Sequence, residues 1–222
     1  MLEQPNIVIM VPAYNEEKTI CKVIKQSKKY GKVIVVDDGS SDKTYSLAIK
    51  EGATVIRHIR NCGYHIALRS GFKEALNKNA EYIITIDADC QHNPVFIDVI
   101  IKKLHNGADL VIASRDKKNR FSEYIFCYLT KIILNISDPL CGMKGYRTDV
   151  YSSFEDKDTF NSIGTIYPIL ASVHGYKISE FEIKIQERYD KSRFGNLFKG
   201  NLIVFIALFK VTVVTFLSKL NK

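Results

Sequence analysis

The sequence predicts an α/β fold, a mainly parallel central sheet with helices on both faces. Short Val- and Ile-rich runs alternate with longer amphipathic stretches, and the runs are nearly continuous in hydrophobicity, as strands covered on both faces must be. Most of the runs close on polar or glycine-containing turns, and strand–helix alternation of this kind builds parallel sheets. The length of 222 residues and 46% hydrophobic content fit one domain with a full core, and 11% aromatic residues exclude a disordered chain. No internal repeat, collagen-like or mucin-like pattern is present.

The elements follow in order. Ile7–Val11 reads as a strand and Glu16–Tyr30 as a helix; Val33–Val36 as a strand and Lys43–Lys50 as a helix. Thr54–Arg57 precedes a helix over His65–Asn79, Tyr82–Ile86 precedes one over Pro94–His105, and Leu110–Ala113 is the fifth strand. Beyond residue 115 the pattern loosens into a helix at Phe121–Ile136, a short strand in Gly142–Arg147 and a helix at Ile163–His174. Lys177–Ile185 alternates with period two, as a half-exposed strand does.

Charge divides the chain. The formal net charge is +8, yet from Lys191 onward there are six basic residues and no acid, so residues 1–190 carry only +2. That distribution argues against a nucleic-acid binder and for a C-terminal tail with an anionic partner. Within the tail, Leu202–Leu217 is 16 residues interrupted by Lys210, about 24 Å of helix against roughly 30 Å of hydrocarbon. Leu202, Phe205, Phe209, Val213 and Phe216 share one stripe while Lys210, Thr212 and Lys219 lie off it. An amphipathic helix lying in a membrane interface is the expectation, with docking on the protein itself, docking on a second subunit, or a tilted segment left open. Residues 1–198 are then the main domain and 199–222 the membrane-associating helix. Five separated cysteines without a Cys-x-x-Cys pair suggest a reducing compartment, and the acid at Glu3 is unlike an export signal.

In open parallel sheets ligands bind beyond the carboxyl ends of the strands. Here those ends read Pro12-Ala-Tyr-Asn-Glu-Glu17, Asp37-Asp-Gly-Ser-Ser-Asp42 and Asp87-Ala-Asp-Cys-Gln-His-Asn-Pro94. Carboxylates from several strands on one rim repel unless a cation or a donor-rich ligand lies between them. Asp87 and Asp89, spaced i, i+2 at a strand end, address the same side and are hard-oxygen ligands suited to Mg²⁺ or Mn²⁺, although capping of the next helix explains such acids equally well. His92 lacks the Cys or His partners of a zinc site. Asp38 is placed to accept hydrogen bonds from a base or a ribose. There is no Gly-x-Gly-x-x-Gly after the first strand and no phosphate-binding Gly-x-x-x-x-Gly-Lys.

Taken together in this order, the three strand-end motifs resemble the family-2 glycosyltransferases, which have the GT-A nucleotide-diphospho-sugar transferase fold. Asn61-Cys-Gly63, Ala67-Leu-Arg69-Ser-Gly71, Ala113-Ser-Arg115, Ser137-Asp-Pro-Leu-Cys-Gly142 and Arg188 followed by Ser192-Arg193 extend the resemblance from Ile7 to Gly195. It is nearest to the dolichyl-phosphate mannose synthase group and its bacterial polyprenyl-phosphate relatives. The resemblance implies inverting transfer of a sugar from a GDP- or UDP-sugar. Pro12, Tyr14, Glu16 and Asp38 would contact the nucleoside; Asp87, Asp89 and Gln91 would form the metal and diphosphate site, with Asp87 shared between the two. Arg115, Asp138, Arg188, Ser192 and Arg193 match residues around the transferred sugar and acceptor phosphate, with Asp89, Asp138 and Arg115 the catalytic candidates.

The implied acceptor is a polyprenyl (dolichyl or undecaprenyl) phosphate and the implied place the cytoplasmic face of a membrane. A saccharide hydroxyl as acceptor, or a non-catalytic nucleotide-sugar-binding module, stays open, as do a homo-oligomer and a membrane partner subunit. The chain departs from the group in Tyr189-Asp-Lys-Ser192-Arg193, which has Arg for Lys and no Gly, and in Ile166-Tyr-Pro-Ile-Leu170, where Pro168 is expected to break the helix.

Overall fold

Alternation along the first strand sets the architecture. Val8 and Met10 enter one hydrophobic cluster and Ile9 and Val11 the other, and all four are fully buried, so the sheet is covered on both faces. The computed structural model describes residues 5–118, 120–154 and 162–187. Its strands are β1 (Ile7–Ala13), β2 (Lys32–Asp37), β3 (Thr54–Arg57), β4 (Tyr82–Thr85), β5 (Leu110–Arg115), β6 (Lys144–Arg147) and β7 (Ile178–Ile183). The helices are α1 (Ile20–Ser27), α2 (Thr44–Lys50), α3 (Tyr64–Asn77), α4 (Phe96–His105), α5 (Phe121–Leu134), α6 (Thr148–Ser152) and α7 (Ile163–Val173).

One sheet of seven strands runs β3-β2-β1-β4-β6-β5-β7. The pairs β3–β2, β2–β1, β1–β4 and β5–β7 are parallel, while β6 is antiparallel to both β4 and β5. Helices α1, α2 and α4 supply core residues to one face, and α3, α5, α6 and α7 to the other. The chain builds outward from β1 in one direction and then returns to β4 on its other side. The crevice at that reversal, between the carboxyl ends of β1 and β4, is where such sheets bind ligands.

Pro12 opens this crevice. The β1–β4 ladder pairs Ile7–Met10 with Tyr82–Thr85, and its last bond is the Ile86 N–H to the Met10 carbonyl at 3.1 Å. Two residues on, Pro12 would present its backbone to the same neighbour but has no N–H to give. The two strands part there.

Three expectations are adjusted. Helix α1 begins at Ile20 and not at Glu16, because Asn15 takes a left-handed φ of 52° and the Glu16 N–H is drawn to Thr44 Oγ1 at 2.7 Å. Pro168 does not break α7, which runs through it from Ile163 to Val173. All residues from Ile163 to Ala171 are buried, and the Tyr167 hydroxyl donates to the Phe154 carbonyl at 2.9 Å, so packing outweighs the one backbone hydrogen bond that Pro168 forfeits. Helix α6, five residues long, was not expected. Among the described residues no helix is long and apolar enough to cross a membrane. Residues 199–222, and with them the expected interfacial helix, lie outside the described residues.

Candidate active site

One end of the crevice is built by the loops after β1, β2 and β3. The first two are stitched together: the Asn15 N–H donates to Ser40 Oγ (2.9 Å) and the Ser41 N–H to Asn15 Oδ1 (2.8 Å). Gly39 has a φ of 74°, and a Cβ there would stand 2.5 Å from the Arg60 backbone, so only glycine makes this turn. Asp37 is fully buried, receiving the Ser40 N–H at 3.1 Å and pairing with Arg57 Nε at 3.1 Å. The Arg57 guanidinium lies over the Tyr45 ring, 4.5 Å from its centroid.

Asp38 holds down the loop that follows β3. Its Oδ1 is 2.6 Å from His58 Nδ1 and accepts the Cys62 N–H at 2.9 Å, while Oδ2 accepts the Gly63 N–H at 2.8 Å. His58 Nε2 continues to Ser70 Oγ at 2.9 Å. The carboxylate expected to meet a nucleoside thus also anchors residues 58–63 over the end of β2. Gly39, Ser40, Arg57, His58 and Ile59 line a hollow of about 240 Å³ beside it. Pro12 and Glu16 are buried at the crevice and Tyr14 is half-buried; Glu16 Oε2 accepts from Thr19 Oγ1 at 3.0 Å. His58 is absent from the sequence-based set, although its place one residue past a strand's carboxyl end marks it.

The second end is the turn after β4. Asp87 Oδ1 accepts the Tyr64 hydroxyl at 3.2 Å, and Oδ2 lies 3.5 Å from His92 Nδ1. Asp89 is nearly buried and its Oδ1 accepts the Gln91 N–H at 3.0 Å, which tightens the turn around Cys90 with its φ of 63°. The Gln91 carbonyl in turn accepts the Gln186 N–H at 2.9 Å. Burial by itself would lower the pKa of His92. Its Cys141 neighbour (Sγ to Nε2 3.5 Å) and the Asp87 and Asp89 carboxylates outweigh that and raise it to about 9. Burial pushes the Tyr64 hydroxyl well above its ordinary range, with Asp87 adding to it, so Tyr64 is a neutral donor.

Asp87 and Asp89 fit a divalent cation. Both are hard-oxygen donors on one short turn, and the space around Asp87 is kept open: a Cβ on Gly142 would stand 2.1 Å from Asp87 Oδ2. Asp38, His58 and Cys62 also bring ligand atoms within 4.8 Å of one another, but Asp38 and His58 already satisfy each other by hydrogen bonding. Gly142→Ala is accordingly expected to displace the Asp87 carboxylate and weaken Mn²⁺ binding by about tenfold or more. Titration calorimetry checks this; unchanged affinity would separate Gly142 from the carboxylate.

The third group lies after β5. Arg115 Nε and Nη2 hold Asp138 Oδ2 and Oδ1 at 2.8 and 3.0 Å, its backbone N–H adds 3.1 Å, and its Nη1 pairs with Glu123 Oε2 at 3.2 Å. Lys118 Nζ is 3.1 Å from Asp138 Oδ2 and Arg120 Nη1 is 3.1 Å from Glu123 Oε1. Burial alone would raise the pKa of fully buried Asp138, but the hydrogen bonds and charge of Arg115, with Lys118, lower it to about 2. Arg115 and Asp138 are brought together as expected, but as a bidentate pair. Arg188, Ser192 and Arg193 lie outside the described residues. Lys144, also unanticipated, is buried between these groups and its pKa is lowered by that burial; its Nζ donates to the Cys141 carbonyl.

A mostly parallel sheet with carboxylates of several strands gathered at its reversal point is the arrangement of the GT-A glycosyltransferase fold. The chain is a member of glycosyl transferase family 2, whose family model matches residues 8–126. It is 36% identical to an uncharacterized protein of Methanocaldococcus jannaschii over 222 residues, covering 92% of this chain and 91% of the relative. It is 28% identical over 209 residues to the undecaprenyl-phosphate 4-deoxy-4-formamido-L-arabinose transferase of Pectobacterium atrosepticum, with 82% of this chain and 60% of that enzyme covered. The chain therefore spans about three fifths of that relative's length. Among solved structures it is similar to glucosyl-3-phosphoglycerate synthase from Mycobacterium tuberculosis in complex with Mn²⁺, UDP and glucosyl-3-phosphoglycerate: TM-score 0.72, 19% identity, 92% of this chain and 80% of that one. At that identity the likeness is one of fold.

Proposed function

We propose that this glycosyltransferase moves a sugar, with inversion, from a nucleoside-diphosphate donor onto a polyprenyl phosphate at the cytoplasmic face of a membrane. The observation that carries the choice of acceptor is the state of Asp138. A saccharide hydroxyl needs a general base, and the carboxylate nearest to that task is fully buried, clamped by Arg115 and held at a pKa of about 2. A phosphate monoester, with a second pKa of about 6, arrives ionised and needs cations instead. Arg115, Lys118 and Arg120 outnumber Asp138 and Glu123 by one charge, which favours an anion at this end of the crevice. The relative named for undecaprenyl phosphate agrees with this reading. So do the five cysteines, all unpaired, which fit a reducing compartment.

In this reading Pro12, Tyr14, Glu16 and Asp38 shape the nucleoside site, and the hollow beside His58 and Arg57 receives the base. Asp87 and Asp89, with Gln91, would hold Mg²⁺ or Mn²⁺, which when bound stabilises charge on the leaving diphosphate. Arg115 orients the acceptor phosphate, assisted by Arg188, Ser192 and Arg193, and Asp138 acts through Arg115 as a positioning residue. The test is a donor screen with GDP- and UDP-sugars in Mg²⁺ or Mn²⁺, reading nucleoside diphosphate release with and without a polyprenyl phosphate. Release that depends on the lipid phosphate is expected. Turnover with free or lipid-linked saccharides instead would overturn the acceptor, and absence of turnover with every donor would favour a binding module.

A further inference from the structure

Three consecutive residues at the start of α3 address both ends of the crevice. The Cys62 and Gly63 N–H groups donate to the two oxygens of Asp38 at 2.9 and 2.8 Å, and the hydroxyl of Tyr64, the first residue of the helix, donates to Asp87 Oδ1 at 3.2 Å. Gly63, with a φ of 95°, makes the change of direction between them in a conformation that residues with a Cβ seldom adopt. The Tyr64 ring is seated as well: it stands edge-on to His65 with centroids 5.5 Å apart, and a Cβ on Gly164 of α7 would lie 3.4 Å from its Cε1. The anchored backbone before it and the neighbours of the ring together restrict where the hydroxyl can point.

Among the described residues the Tyr64 hydroxyl makes the one hydrogen bond to the Asp87 carboxylate. His92 Nδ1 stands 3.5 Å from Oδ2 and forms no hydrogen bond, so it contributes charge without direction. The contrast with Asp138 is one of donor type: that carboxylate is gripped by the cations Arg115 and Lys118, whereas Asp87 is oriented by a neutral phenol that brings no charge of its own. With Oδ1 held and its side chain 29% exposed, Asp87 still presents oxygen to the crevice. Gly142 keeps space beside the carboxylate and Tyr64 tethers it. A ligand carboxylate already fixed in place loses less freedom when an ion binds.

We propose that Tyr64 is a positioning residue for the cation site, its hydroxyl holding Asp87 in the orientation in which the carboxylate meets a divalent ion. The inference rests on the reading of Asp87 and Asp89 as cation ligands and adds a residue that acts through one of them. Because Tyr64 follows directly on the two N–H groups that Asp38 anchors, the tether on Asp87 is set from the opposite end of the crevice.

Tyr64→Phe removes the hydroxyl and keeps the ring, so a role in packing alone would survive it. Mn²⁺ titrated calorimetrically into the full chain is expected to bind this variant about tenfold more weakly, with circular dichroism and thermal unfolding close to native. Tyr128→Phe, which removes an exposed hydroxyl on α5, is expected to bind Mn²⁺ as the native chain does. Sugar transfer by Tyr64→Phe is expected to fall at low Mn²⁺ and to return to within about twofold of native at saturating Mn²⁺. Mn²⁺ affinity of Tyr64→Phe within about twofold of native, an equal loss in Tyr128→Phe, turnover that saturating Mn²⁺ does not restore, or loss of the fold each overturns the proposal. Failure of the unsubstituted chain to bind Mn²⁺ or Mg²⁺ is a separate result, which removes the cation reading itself and the role of Tyr64 with it.

Discussion

Asp89→Asn is expected to lower sugar transfer by about two to three orders of magnitude while leaving the chain folded. The amide keeps the oxygen that accepts the Gln91 N–H at 3.0 Å, so the turn after β4 retains its shape. What is lost is one of the two carboxylate charges on the turn after β4 that would hold the cation proposed to stabilise the leaving diphosphate. Electrostatic stabilisation of that kind contributes roughly 3–4 kcal/mol, and each 1.4 kcal/mol is about tenfold in rate. Chelation of divalent ions is expected to reduce the native chain's turnover to a similar degree and to add little to the loss in Asp89→Asn. Nucleoside diphosphate release is the readout. Turnover by Asp89→Asn within about threefold of the native chain would remove metal-assisted transfer from the account.

The second large effect is on stability. Asp138→Ala leaves Arg115 and Lys118, which are nine-tenths buried side chains, without the carboxylate that both contact. Removing one partner of a buried ion pair costs about 3–5 kcal/mol when the remaining charge is uncompensated, and because Arg115 keeps Glu123, which it shares with Arg120, the lower end of that range is expected. Urea unfolding at neutral pH measures this, and a loss below about 1 kcal/mol would show that the pair is not what holds the end of β5. The pH dependence has a definite sign. Asp138 has a folded pKa of about 2, below its unfolded value of roughly 4, so its contribution is complete above pH 4 or so. It is lost as the pH falls through about 2, and the variant is expected to lose less stability than the native chain over that interval.

Much of the site is legible along the chain because strand ends are. A run of Val and Ile closed by Asp37-Asp38-Gly39 or Asp87-Ala-Asp89 announces both where the strand stops and which side chains it delivers to the rim. Contacts across sequence are another matter. Asp38 and His58 are 20 residues apart and Arg115 and Asp138 are 23 apart, and no periodicity links them. Asp138 reads as a carboxylate in the region where a base would stand; only the fold shows that its oxygens are committed to a guanidinium. Pro168 errs in the opposite direction, because a local rule about proline is overridden by burial of the whole helix.

By itself the sequence determined the α/β class, the two acidic strand ends and the family, since these depend on local periodicity and on residues a few positions apart. The tertiary structure alone decided that β6 enters antiparallel between β4 and β5, carrying Gly142 against Asp87 and Lys144 into the interior. It also decided that α5 buries Glu123 beside Phe126 while leaving Phe121, Tyr124, Tyr128, Ile132 and Ile133 exposed. A four-residue strand has too short a pattern to specify its neighbours, and the orientation of a helix is set by which side chains must be neutralised within, here Glu123 against Arg115 and Arg120.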